Sequence, residues 1–246
     1  MENNKLASEP KIKLKKNYQD LLIVIGMVIL SYFLWDTAFF YPLKLFVVLL
    51  HELSHGISAM IFGGKIVEIV IDPRIGGHCA FIMPKGFIGS VMTASAGYLG
   101  SMFWGCLILF LGIKTRFHKI ILGFIALVVF VITVLFVREL FGIVFCLLFS
   151  GTLALSVWKL PNIVNDLLVK FLGTISCLYA IVDIKEDLIA RTVATSDSSV
   201  IANMLHMPFL SVAIGVFWII LSVAALAGTS YLAFKSNKND GGEVCE

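Results

Sequence analysis

Residues 47–62 read VVLLHELSHGISAMIF, an apolar run carrying two histidines and a glutamate in its middle. His51 and His55 are four residues apart, so on a helix they share a face, separated by about 40° around the axis and one turn along it. Two imidazoles so placed can ligate one Zn2+. Glu52, one position on, is rotated by about 100° and can reach a metal-bound water without being a ligand itself. The pattern is HExxH, and its chemistry is hydrolysis: zinc lowers the pKa of a bound water to about 7 and the glutamate takes its proton. An acidic side chain at the centre of a spanning helix costs roughly 2.5–3.5 kcal/mol to insert. A bound dication offsets that cost.

A catalytic zinc normally has three protein ligands and a water, so HExxH needs an acid or histidine from elsewhere. Glu139 abuts Arg138 at a join between apolar runs and reads as half of a local pair. Asp72 sits in a turn before Pro73, and Asp36 lies near the end of a span. The remaining acids fall in CLYAIVDIKEDLIARTVATSDSS, residues 177–199. Asp183 is the first acid after an apolar stretch and therefore the deepest, which makes it the expected third ligand. Asp187, one turn on, and Asp197, which reads as a helix N-cap, stay open as alternatives. The expected site is thus His51, His55 and Asp183 on Zn2+, with Glu52 as catalytic base.

These residues need a scaffold, and composition says which kind. The chain has 246 residues, 59% hydrophobic and only 14% charged, with a mean hydropathy of +0.96. Soluble domains carry about 25% charged residues, and several apolar runs here approach the roughly 20 residues that cross a bilayer. The expected fold is an all-α polytopic membrane protein with about six or seven transmembrane helices and a small β-hairpin after the HExxH helix. One transmembrane domain is expected over 21–234, between a basic polar tail, 1–20, and a polar tail, 235–246. The first apolar run, Leu21–Phe40, is longer than the 7–15 residues of a signal-peptide core and reads as a retained span. The hairpin is carried by KIVEIVI, β-branched and followed by the turn-like Asp72-Pro73, and by GGHCAFI; Gly63-Gly64 before it reads as a helix C-cap.

The lysines at 11, 13, 15 and 16 favour a cytosolic N-terminus, but Lys114, Arg116 and Lys119 would then fall outside if seven helices span, so charge leaves the orientation open. The net charge of +3 fits contact with a lipid bilayer and gives no expectation of nucleic acid. The five cysteines contain no CxxC pair, which argues against a disulfide framework or a cysteine-rich zinc site. Gly89, Thr93, Gly97, Ser101 and Gly105 recur every four residues, a stripe suited to close helix packing. His78 and His206 read as ordinary surface groups.

Three stretches, HELSHGISAMIFGGKIVEIVIDP, ASAGYLGSMFWG and SCLYAIVDIKEDLIARTVATSDSSVIA, together resemble the site-2 protease class of intramembrane zinc metalloproteases, and within it the short peptidase branch without a PDZ insertion. The resemblance implies zinc on His51 and His55, Glu52 as base, and a third, acidic ligand from a later helix. It departs at the Asp-Gly motif that supplies this acid in better-known members, which is missing here. The expected function is hydrolysis of peptide bonds in or near transmembrane segments of membrane-protein substrates, with Glu52 activating a zinc-bound water. KIVEIVI could hold an unwound substrate by β-augmentation. The alternative is a catalytically inactive, protease-like membrane protein acting as a metal-binding chaperone or carrier. A soluble-facing gluzincin site would need an ExxxD context, which the chain lacks.

Overall fold

The computed structural model describes residues 9–82, 86–189 and 196–235, without the side chains of 9–19, 32, 187–189, 234 and 235. Asp187 as a ligand, Cys245, residues 1–8 of the expected N-terminal tail and nearly all of the C-terminal one therefore lie outside the described residues, while 9–20 already belong to a helix. The element order is α1 (Glu9–Leu34), α2 (Tyr41–Ile61), β1 (Lys65–Asp72), β2 (Gly76–Ile82), α3 (Gly86–Lys114), α4 (His118–Phe136), α5 (Leu140–Lys159), α6 (Asn162–Ile189), α7 (Asp197–Met204) and α8 (Leu210–Lys235). Among the described residues six helices are long and apolar enough to cross a membrane: α2, α3, α4, α5, α6 and α8. The chain is a multi-pass integral membrane protein. α1 ends at Leu34 rather than Phe40, and its described apolar stretch, Asp20–Ser31, is shorter than those six.

Helix α2 is the most enclosed span, with 72% of its apolar window buried against 28% for α5 and 17% for α8. Leu45, Phe46, Val47 and Leu49 are buried almost completely, and Phe46 stacks on Phe149 of α5 at 5.0 Å. Apart from Lys44 and the HELSH residues its length is mostly apolar, as suits a helix in a core or a membrane. Its end is set by glycine. Gly63 adopts φ +85°, and Gly63 N–H and Gly64 N–H donate to the carbonyls of Met60 and Ala59, the two bonds of a Schellman cap.

The capped chain turns back along α2 as the expected hairpin. β1 and β2 pair antiparallel, from Lys65 opposite Ile82 to Asp72 opposite Gly76, with an irregularity between Ile66 and Glu68. The Asp72 carboxylate accepts from Arg74 N–H at 2.7 Å and Tyr41 Oη donates to the Pro73 carbonyl at 2.7 Å, pinning the turn to the start of α2. The outer edge of β1 is already in use: Ile69 bridges in parallel to Val137, between α4 and α5.

Arg138 and Glu139 work separately. Arg138 donates to the carbonyls of Val134, Leu135 and Val137 at the end of α4, while Glu139 accepts from Gly142 N–H and caps α5. Each satisfies orphan backbone groups of a different helix, so the expected pair resolves into two caps. The small-residue stripe does bring backbones together. A Cβ on Gly105 would lie 2.8 Å from Cys177 N of α6.

Candidate metal centre

Helix α2 turns both histidines toward α3 and α7. His51 Nε2 and His55 Nε2 are 3.0 Å apart. Helix α7 brings a third donor: Asp197 Oδ2 lies 3.2 Å from His51 Nε2 and 3.1 Å from His55 Nε2. Zinc bonds of about 2.0–2.1 Å in tetrahedral geometry put ligand atoms about 3.3 Å apart, so a triangle of 3.0–3.2 Å needs little adjustment. The donor chemistry fits as well. His55 Nδ1 is 2.7 Å from the Thr93 carbonyl; a proton there leaves Nε2 as a lone pair facing its partners, the usual outer support of a zinc histidine. Asp197 Oδ2 is buried with no hydrogen-bond partner, an orphaned acceptor that a cation would satisfy.

The acid that the structure brings to the two histidines is Asp197, not the expected Asp183. Asp183 of α6 lines the same cavity but is not in the cluster whose ligand atoms lie within 4.8 Å, which is His51, His55 and Asp197. Nor does Asp197 cap its helix. Ser196 is the N-cap and accepts from Ser199 N–H at 3.3 Å, which frees the carboxylate one residue later to face the histidines.

Glycine 97 forms the wall behind the two imidazoles. A Cβ there would fall 2.3 Å from His51 Nε2 and 2.3 Å from His55 Nε2, so the stripe on α3 makes room for the site as well as for packing. Next to it, Tyr98 sets its ring edge-on to His51 at 4.7 Å and leans on Trp218 of α8 at 5.3 Å. Nothing in the sequence marked Tyr98, because an aromatic in a span is ordinarily packing.

Glu52 is buried and lines the same cavity, a hollow of about 490 Å³ shared with His51, His55, Asp197, Tyr98 and Tyr179. Its side chain lies against Gly77 of β2, where a Cβ would come 3.1 Å from Glu52 Cγ. His78 and Cys79 of β2 also line the hollow, so His78 is part of the site's surroundings. Burial and the Glu52 charge push the Cys79 thiol up to about 12; the cluster of converging ligand atoms does not include it and consists of two nitrogens and an oxygen.

A family model described as Peptidase M50B-like matches residues 24–229, which takes in every residue of this cluster. No curated protein and no solved structure matches the chain.

Proposed function

The chain belongs to the Peptidase M50B-like family, membrane peptidases of the site-2-protease type, and on that premise we propose that it is a zinc endopeptidase cutting membrane-protein substrates in or near their transmembrane segments. The observation that carries this reading is the convergence of His51, His55 and Asp197 beside Glu52 in one hollow of a membrane-embedded helix bundle. His51, His55 and Asp197 would hold the ion. Bound there, Zn2+ supplies a Lewis acid for a water and for the scissile carbonyl. Glu52 takes the proton released by the attacking water and returns it to the leaving amine, the work of a buried general base and acid. Tyr98 and the Thr93 carbonyl keep the imidazoles aimed inward, and Gly97 leaves them space.

A helical substrate hides its carbonyls in its own hydrogen bonds and must be held extended to be cut. β1 is poorly placed to do this, because Val137 occupies its edge at Ile69. β2 is the better strand: β1 is its only pairing partner among the described residues, and Gly76, Gly77, His78, Cys79 and Phe81 line the catalytic hollow. Main-chain pairing to that edge would lay a substrate past Glu52. Proline at Cys79 or at Ala80 tests this, since adjacent residues point their N–H groups to opposite sides and one substitution spares the hairpin. Cleavage should fall in that variant with zinc retained, and unchanged rates in both would remove the strand from the mechanism.

The reading as a whole is tested on the purified chain with a model transmembrane substrate. Parent and Glu52→Gln should both hold zinc and only the parent should cut. Cleavage persisting in Glu52→Gln would overturn the proposal.

A further inference from the structure

Far from the metal centre, α3 and α4 meet in a short basic link. Lys114 ends α3 17 residues beyond Gly97, or about 25 Å along the helix at 1.5 Å per residue. Both helices are apolar spans, so residues 115–117 sit where one crossing ends and the next begins. That is the level of the lipid headgroups.

The link borders a hollow of about 180 Å³ lined by Arg116, Phe117, His118, Lys119, Ile120 and Asn162. Its charge is one-sided. Arg116 and Lys119 form no ion pair among the described residues, and Lys114 Nζ is buried without a hydrogen-bond partner. The nearby acid is already committed: Asp166 Oδ1 lies 2.7 Å from Lys170 Nζ and 3.1 Å from His118 Nε2, and Lys170 is held in turn by Asp20 at 2.7 Å. His118 Nε2 also lies 3.1 Å from the Gly112 carbonyl. Arg116 and Lys119, the two full cations that line the hollow, thus lack an anion among the described residues. Phe117 and Ile120, 65% and 68% exposed, stand beside them as apolar surface.

We propose that this hollow binds the phosphodiester of an anionic glycerophospholipid, with Arg116 and Lys119 on the phosphate and Phe117 and Ile120 against the acyl chains. Arginine and lysine are the common phosphate-binding side chains, and basic pockets between spans suit anionic headgroups. The apolar flank favours a lipid over free phosphate. This site is independent of the catalytic reading, since none of its residues lines the metal centre.

The test is native mass spectrometry of the full chain in uncharged detergent, titrated with phosphatidylglycerol or phosphatidylcholine. One phosphatidylglycerol should bind with preference over phosphatidylcholine. At roughly fivefold per basic group near an anionic surface, Arg116→Gln/Lys119→Gln should weaken it about 25-fold, and Lys119→Gln alone about fivefold. The control Lys65→Gln/Arg74→Gln removes the same charge from the exposed hairpin and should leave binding within about twofold. Equal losses in control and test variants would overturn the site, as would equal affinity for both lipids. Displacement of the lipid by millimolar inorganic phosphate would overturn its assignment to phospholipid.

Discussion

Replacing Gly97 by alanine adds one methyl group at the place where the two histidines converge. Its carbon would lie 2.3 Å from both Nε2 atoms and 2.5 Å from His51 Cε1, whereas non-bonded carbon contacts settle at about 3.5–4.0 Å. More than an ångström must be found, and the neighbours are not the free ends of flexible chains. His55 is fixed through Nδ1 to Thr93 and His51 is wedged by Tyr98. Overpacking of this kind costs about 1–3 kcal/mol. If that falls on the metal-loaded arrangement, zinc affinity drops roughly 5- to 150-fold, at tenfold per 1.4 kcal/mol. Competition for zinc against a graded chelator series measures it. Gly123→Ala is the control, because a Cβ at Gly123 on α4 meets nothing within 4 Å. Parent-like zinc affinity in Gly97→Ala would refute the argument that this glycine makes room for the ligands.

Ser196→Ala removes the α7 cap but no ligand, so it should cost about 1 kcal/mol, read as a lower unfolding midpoint with zinc still stoichiometric. Lys170→Met leaves Asp20 buried without its cation, a loss of about 3–5 kcal/mol, and should show as a sharp fall in thermal stability in detergent. Gly63→Ala forces a side chain into φ +85° and should destabilise by about 1 kcal/mol, seen as a lower midpoint.

The helical membrane fold, the hairpin and the glycine cap were legible because each rests on local chemistry: apolar length, β-branched runs, and Gly63-Gly64. HELSH was legible for the same reason, since its three residues lie within one helical turn and a half. Which acid comes to the histidines was not. Asp183 stood out by depth along a helix, but ligand choice depends on how residues 196–204 fold back, and that is set by distant packing. Ile201 lies in a small core with Ala94, Tyr98, Ile184 and Trp218, and Ser198 Oγ lies 2.9 Å from Ser211 Oγ at the start of α8. Neither contact has a local signature. The edge of β1 was misjudged on similar grounds, because its partner Val137 comes from a linker 68 residues beyond Ile69. His78 is exposed, as expected of a surface histidine, and β2 laid along α2 also brings it to the hollow.

The most direct test of the ligand assignment is the zinc content of the purified chain beside Asp197→Asn and Asp183→Asn. One zinc per chain in the parent and in Asp183→Asn, with little or none in Asp197→Asn, is the expected result. Zinc kept by Asp197→Asn and lost from Asp183→Asn would contradict the assignment.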